Sequence, residues 1–77
     1  MTEEQDARRE FGRRVQELRR QRGLSQEKLG ELAELDRTFV SSIENGRRNV
    51  TLGTIGKLAR ALGVDPAVLV SDGPTSN

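Results

Sequence analysis

The sequence predicts an all-α fold, a compact domain of five helices, and three observations support this. Apolar residues recur at helical spacing through most of the 77 residues, and no segment shows the alternation typical of a strand. Residues that favour helix starts and glycines that favour helix ends flank these apolar stripes. Leu, Ile, Val and Phe supply 19 of the 77 residues at a net charge of +1, a composition that favours a folded domain.

The first helix is predicted over about residues 6–22. Phe11, Val15 and Leu18 are spaced i, i+4, i+7, which places them along one side of a helix. Gly23 follows as a natural C-terminal stop. The sequence therefore predicts a long amphipathic helix at the start of the domain.

The second helix is predicted to begin at Ser25, an N-terminal cap, and to end at Ala33. Leu29, Leu32 and Ala33 are expected to face inward. Gly30 is expected where this helix crosses the next one, because a residue without a side chain permits close approach.

The third helix is predicted over residues 37–45, with Asp36 as its cap and a glycine after its end. Val40 and Ile43 are expected to anchor it on the core, with Phe39 beside them. About three residues separate this helix from the second one. So short a connection forces a sharp angle, as in a helix-turn-helix.

The fourth helix is predicted to begin after a cap at Thr51 and to end at Gly63. The residues expected on its inner face are Leu52, Ile55, Leu58, Ala59 and Leu62. Asp65 followed by Pro66 then predicts a short fifth helix that reaches about Val70.

The chain is expected to form a single domain over residues 1–77, with a core at about 6–70 and a flexible polar tail at 71–77. A chain this short buries only about 60–65% of its unfolded surface. Its fifth helix and the end of the fourth carry apolar surface that so small a domain is not expected to bury alone, which predicts a homodimer interface there. The predicted interface residues are Val64, Val68, Leu69 and Val70.

Composition excludes several classes of function. The chain has no Cys and no His, which removes disulfides, thiolate chemistry, the commonest general base and the commonest metal ligand. The sequence therefore predicts no enzyme, no catalytic residue, no metal site and no cofactor. No apolar run approaches the roughly 18 residues of a membrane span, and the N-terminal segment lacks a signal peptide's apolar stretch. The expected location is the cytoplasm.

Basic residues are unevenly distributed along the chain. Arg supplies 11 of the 13 basic residues, and seven of them lie between Arg8 and Arg22. The planar guanidinium suits bidentate phosphate binding, although a solvated basic face of a helix is the alternative interpretation. A stacking platform for single-stranded bases is not expected, because the chain has two Phe and neither Trp nor Tyr.

The outer face of the third helix carries short or forked polar side chains: Arg37, Thr38, Ser41 and Ser42. A helix that enters the major groove of DNA needs donors and acceptors of this kind against the base edges. The alternative interpretation is a short exposed helix whose polar residues have no specific role.

The stretch LSQEKLGELAELDRTFVSSIENGRRNVTLGTIGKLARALGV resembles the Cro/repressor-type helix-turn-helix family, also called xenobiotic-response-element-like regulators. The similarity runs from about Phe11 to Leu69 and includes the motifs LSQ, V-x-x-I-E-N-G and LARALGV. The segment DRTFVSSIE, followed by RN, is particularly similar to restriction–modification controller proteins. The resemblance implies a lambda-repressor-like fold and a dimeric transcriptional regulator that recognises a near-palindromic operator in double-stranded DNA.

The resemblance also implies roles for individual residues. Arg37 and Thr38 match the first base-reading positions of the recognition helix, and Ser41 and Ser42 match later ones. Arg37 is the candidate for bidentate contact with guanine. The positions that bind DNA phosphate are matched by Gln26, Asn45, Arg47 and Arg48.

Arg19 and Glu44 match a buried ion pair that ties the first helix to the third. A simple surface acid is the alternative interpretation of Glu44. The turn between the two helices departs from the family pattern, because Glu34 stands where Gly in the left-handed conformation is usual. A non-glycine residue in that conformation costs about 1 kcal/mol.

Glu27, Glu31 and Glu34 are spaced i, i+4, i+7 on the outer face of the second helix. In some related activators an acidic patch there contacts RNA polymerase, and a solvated face is the alternative interpretation. A protein-interaction module, such as an antitoxin or a bridging coactivator, remains the alternative function for the whole chain.

Overall fold

Five α-helices make up the structured part of residues 3–70, which the computed structural model describes. They are α1 (Glu3–Gln21), α2 (Gln26–Ala33), α3 (Arg37–Glu44), α4 (Leu52–Leu62) and α5 (Pro66–Val70). The predicted all-α class is confirmed. The tail predicted at residues 71–77 lies outside the described residues.

α1 begins about one turn earlier than the sequence predicted. Its first turn holds Glu3, Glu4 and Asp6. Carboxylates are favourable there because the unpaired backbone N–H groups give a helix N-terminus a partial positive charge.

Side-chain oxygens cap the starts of the other four helices, as the sequence predicted. Each oxygen accepts a hydrogen bond from a backbone N–H two or three residues further on, and so satisfies a donor that has no partner within the helix. The pairs are Ser25 with Lys28 (2.9 Å), Asp36 with Thr38 (2.7 Å), Thr51 with Thr54 (3.1 Å) and Asp65 with Ala67 (2.8 Å).

A residue with positive φ follows each of α1 to α4 within two positions. Three of these residues are glycines, and the fourth is Glu34, with φ of 59°. After it, the N–H of Leu35 donates to the carbonyl of Gly30 at 2.8 Å, which closes a Schellman motif. The turn therefore has the left-handed geometry that the resemblance implies, with a glutamate in a conformation that favours glycine.

One hydrophobic core joins the helices. α2 packs against α3 and α4, α1 packs against α3, and α5 packs against α4 and α1. The buried apolar residues are Phe11, Val15, Leu29, Ala33, Val40, Ile43, Leu58, Ala59, Leu62 and Leu69. Within residues 3–70, no helix is long and apolar enough to cross a membrane.

Three predictions about apolar residues were wrong. Leu32 and Leu52, expected to face inward, are 50% and 86% exposed. Leu32 lies about 100° around α2 from the buried Ala33. Leu52 is the first residue of α4, at the edge of an apolar stripe whose buried residues lie further along the helix. Leu69, expected at a dimer interface, is fully buried in the core of the protein's own chain.

Two glycines permit the close approaches that shape the domain. A Cβ at Gly12 would lie 2.8 Å from the carbonyl oxygen of Glu44, so the backbone of α1 crosses the C-terminal end of α3 directly. A Cβ at Gly30 would lie 2.6 Å from the carbonyl oxygen of Leu35. The backbone N of Arg37, the first residue of α3, would lie 3.5 Å from the same Cβ, so Gly30 lets both the turn and the start of α3 approach α2 closely.

Replacing Glu34 with glycine should stabilise the domain. Glycine relieves the strain at φ of 59°, and that gain should exceed the added entropy of the unfolded chain. We expect the free energy of unfolding, measured by urea denaturation, to rise by about 0.5–1 kcal/mol.

Glu31→Gly is the matched control, because it also removes an exposed carboxylate but places the glycine within α2. It should lower the free energy of unfolding by about 0.5–1 kcal/mol. A loss of stability in Glu34→Gly as well would mean that Glu34 is not strained.

Candidate nucleic-acid interface

The turn between α2 and α3 presents one side of α3 to solvent. Val40 and Ile43 are buried and fix the rotation of α3 about its own axis. On the remaining surface Arg37 and Thr38 are exposed. Ser41 and Ser42 are half-buried there. The four predicted base-reading residues therefore belong to one short helix that the core holds firmly.

The guanidinium of Arg37 is not used in contacts within the described part of the protein. Its side chain makes no hydrogen bond or ion pair with any residue of the described chain from 3 to 70. The neighbouring carboxylate, Asp36, accepts the backbone N–H of Thr38 at 2.7 Å, so its position is set by the helix cap. At the N-terminus of α3, Arg37 is thus free to bind an external acceptor.

A buried ion pair ties α1 to the C-terminal end of α3. Arg19 Nε donates to Glu44 Oε2 at 2.6 Å, and Arg19 Nη2 donates to Glu44 Oε1 at 3.1 Å. The side chains are 11% and 1% exposed, respectively. A third donor, Arg19 Nη1, binds the carbonyl of Leu24 at 2.7 Å, beyond the end of α1. The pair that the resemblance implies is therefore present in bidentate form.

Two amide side chains complete the hydrogen bonding of Glu44. Gln26 Nε2, from the first turn of α2, donates to Glu44 Oε1 at 3.1 Å, and Gln16 Nε2 donates to the same oxygen at 3.4 Å. One carboxylate thus joins α1, α2 and α3. Gln16 could not be predicted from the sequence, because a lone polar residue on a helix carries no local sign of such a contact.

The predicted phosphate-binding residues after α3 differ in their surroundings. Asn45 Nδ2 donates to the carbonyl of Ser41 at 2.9 Å and caps the end of α3. The guanidinium of Arg48 lies 5.2 Å from the centre of the Phe39 ring, a cation–π contact. Arg47 is exposed, and its side chain makes no hydrogen bond, ion pair or cation–π contact with any residue of the described part of the chain. Arg47 is therefore the freest cation of this group.

The acidic residues of α2 and its turn lie on the surface. Glu27, Glu31 and Glu34 are exposed, and Lys28 Nζ lies 3.5 Å from Glu31 Oε1. Exposed pairs of this kind contribute little to stability. In residues 3–70, no group of three or more acidic side chains is arranged to hold a metal ion.

Removing the charge of Arg19 should destabilise the fold strongly. Arg19→Met keeps much of the side-chain volume but leaves Glu44 buried without a cation. Loss of one partner from a buried pair typically costs about 3–5 kcal/mol. We expect a decrease of this size in the free energy of unfolding, measured by urea denaturation.

Arg13→Met is the matched control, because Arg13 lies on the same helix in an ion pair with Glu10 whose side chains are 66% and 42% exposed. It should cost less than about 1 kcal/mol. Similar losses in the two variants would show that burial of the Arg19 pair has no special weight.

Comparison with known proteins agrees with this geometry. A family model described as a helix-turn-helix domain matches residues 10–70. Control protein C.MunI from Mycoplasma sp is 44% identical over 63 residues, which span 80% of this chain and 85% of that protein. Control protein C.BamHI from Bacillus amyloliquefaciens is 46% identical over 61 residues, which span 78% of this chain and 75% of that protein.

A solved structure extends the comparison to three dimensions. The crystal structure of the restriction–modification controller protein C.AhdI from Aeromonas hydrophila has a TM-score of 0.79 and 50% sequence identity. The match covers 80% of this chain and 94% of that chain. This chain therefore belongs to the helix-turn-helix domain family of DNA-binding transcriptional regulators.

Proposed function

We propose that the protein is a restriction–modification controller, a homodimer that binds a near-palindromic operator in double-stranded DNA and regulates transcription there. The unpaired guanidinium of Arg37, at the exposed end of a helix anchored by Val40 and Ile43, carries this proposal. Similarity to the controller proteins C.MunI, C.BamHI and C.AhdI supports it. The proposed function needs no catalysis, and the protein acts where the DNA is, in the cytoplasm.

In the proposed complex, the N-terminal end of α3 enters the major groove. Arg37 spans the O6 and N7 acceptors of one guanine, which requires a free, planar guanidinium. Thr38, Ser41 and Ser42 contact neighbouring base edges through their hydroxyl groups or, for Thr38, through its methyl group. The burial of Val40 and Ile43 supports this assignment, because it holds the reading residues in a fixed orientation.

The phosphate contacts that we propose come from both ends of the helix-turn-helix. Arg47 and Arg48 supply charge, with Arg48 oriented by its contact with Phe39. Gln26 and Asn45 each use one amide hydrogen within the protein. An amide group carries two such hydrogens, so each retains one for a phosphate oxygen.

The dimer interface that we propose lies on α5 and the end of α4. Val68 and Val70 are 46% and 53% exposed, and Val64 is half-buried next to the core. Exposed apolar surface of this kind favours association. Dimers of this class place their two recognition helices one turn of DNA apart, about 34 Å, which accounts for a near-palindromic operator.

The acidic surface of Glu27, Glu31 and Glu34 is a candidate contact for RNA polymerase in this proposal, because all three carboxylates are exposed. The exposed Leu32 on the same helix also suits a protein partner, and it favours the alternative function of a protein-interaction module. Footprinting with purified protein at moderate salt supports the regulator. Copurification with a protein encoded next to its gene, without such a footprint, supports the alternative.

Arg37→Ala should relax the preference for one base pair in each half-site and leave preferences elsewhere largely unchanged. A bidentate contact with guanine contributes about 1–3 kcal/mol of discrimination. Arg37→Lys keeps the charge but loses the fork, so its effect should be intermediate. Binding to a panel of single-base variants of the operator measures this effect, once the operator has been selected from random DNA.

A uniform loss of affinity across the panel would contradict base reading by Arg37. It would show that Arg37 only positions the helix, and that Thr38, Ser41 and Ser42 read the bases. If the wild-type protein selects no sequence at all, the proposed function itself is wrong.

Val68→Arg should yield monomers and abolish tight operator binding, because it places a charge on the proposed interface. Val68 is 46% exposed, so the substitution does not disturb the core. Leu32→Arg is the matched control, since Leu32 has similar exposure on α2. Sedimentation should show monomers for the first variant and dimers for the second, and a dimeric Val68→Arg would place the interface elsewhere.

A further inference from the structure

An arginine near the start of α1 reaches the loop that follows the recognition helix. Arg8 Nη1 donates to Asn49 Oδ1 at 3.1 Å, a contact between residues 41 positions apart. On its other side, Arg8 Nη1 lies 3.6 Å from Glu4 Oε2. Arg8 thereby connects α1 to the loop of residues 45–51, which joins α3 to α4.

Val50 of this loop packs against the core, but Arg48 and Asn49 beside it border a cleft. A cleft of about 260 Å³ lies between α1, the loop and α5, and Phe11, Val50 and Leu69 are among its lining residues. A cleft of this size can hold several water molecules, so the residues that border it gain less apolar packing. The hydrogen bond between Arg8 and Asn49, at the rim of this cleft, therefore has a larger share in holding the loop.

The first half of the loop is held elsewhere. Gly46, with φ of 71°, lies so close to α1 that a Cβ there would be 2.8 Å from Cγ of Arg9. Arg48 is held by its contact with the Phe39 ring on α3. Arg47, whose guanidinium is free in residues 3–70, lies between these two points. Asn49 is the next fixed point, followed by Val50, which packs against the core, and by Thr51, which caps α4.

We propose that Arg8 and Asn49 act together as positioning residues for DNA binding. Their hydrogen bond orders residues 47–50 before DNA arrives and holds Arg47 where it meets a phosphate. This inference rests on the proposed function and adds a part of α1 to the binding machinery. A loop that is ordered in the free protein loses less conformational entropy on binding, which raises affinity.

Asn49, as a positioning residue, and Arg47, as a phosphate contact, should differ in their effect on the salt dependence of binding. Asn49→Ala changes no charge, so it should weaken binding but leave the dependence of affinity on salt unchanged. Arg47→Ala removes a phosphate contact, so it should weaken binding and also lower the slope of log affinity against log salt by about 1. A purely structural role of Asn49 would change the stability of the protein but not the affinity of its folded form.

The probe for the experiment is the duplex that the wild-type protein selects from random DNA. The variants are Arg8→Ala, Asn49→Ala, the double variant and Arg8→Lys, with Arg13→Ala as the control that removes a charge from the same helix without touching the loop. Affinities are measured at several salt concentrations. Amide hydrogen exchange of Arg47, whose N–H donates to the carbonyl of Ser42 at 2.9 Å, is measured without DNA.

We expect Arg8→Ala and Asn49→Ala each to weaken binding by about three- to tenfold, the scale of one partly exposed hydrogen bond to a charged group. The double variant should bind DNA with the same affinity as the single variant that binds less tightly, because both substitutions remove the same interaction. The Arg47 amide should exchange faster in all three variants, while core amides stay protected. Arg8→Lys, which keeps a charged donor, should recover part of the affinity.

Multiplicative losses in the double variant would overturn the proposal, because they would show that Arg8 and Asn49 act separately. Unchanged exchange of the Arg47 amide in the single variants would overturn it as well. If the wild-type protein selects no DNA, the proposed function fails, and hydrogen exchange alone then decides whether Arg8 and Asn49 order the loop.

Discussion

The buried carboxylate of Glu44 sets the arrangement of the first three helices. An ionised group this deep in a protein is costly unless donors surround it. Here the donors come from Arg19 and Gln16 on α1 and from Gln26 on α2. They reach it because Gly12 lets α1 cross the end of α3 in direct backbone contact. Helices that must meet at one carboxylate have little freedom to shift, so the outer surface of α3 keeps a defined orientation.

Several arginines of α1 make contacts within the protein itself, which their number in the sequence did not indicate. Their number suggested either a phosphate-binding surface or a solvated face. Several instead hold other parts of the chain: Arg19 binds Glu44, Arg14 Nη1 donates to the carbonyl of Leu69 at 3.3 Å, and Arg8 binds Asn49. These contacts fasten α3, α5 and the α3–α4 loop in turn. A small domain with a thin core thus uses long, multidentate side chains where a larger one would use apolar packing.

Residues at the candidate interface divide into those with internal partners and those without. Gln26, Asn45 and Arg48 each contact another part of the protein, whereas the guanidinium groups of Arg37 and Arg47 have no partner in residues 3–70. The side chains with internal partners are ordered before any ligand binds, and the two free guanidinium groups are available to bind the ligand. This division is typical of a preorganised binding surface, in which ordered neighbours lower the entropic cost of association.

The sequence alone determined the number and order of the helices and the caps of α2 to α5, because these depend on periodicity and on hydrogen bonds between residues close in the chain. The left-handed turn at Glu34 was implied by the resemblance to the family. It also identified α3 as the helix with the exposed polar surface, since Val40 and Ile43 mark the opposite side. Only the tertiary structure decided which residues at the edge of a stripe are buried, as Leu32, Leu52 and Leu69 show. It alone brought Gln16 to Glu44 and Arg8 to Asn49. Those contacts depend on the angles and distances between packed helices, which no local pattern specifies.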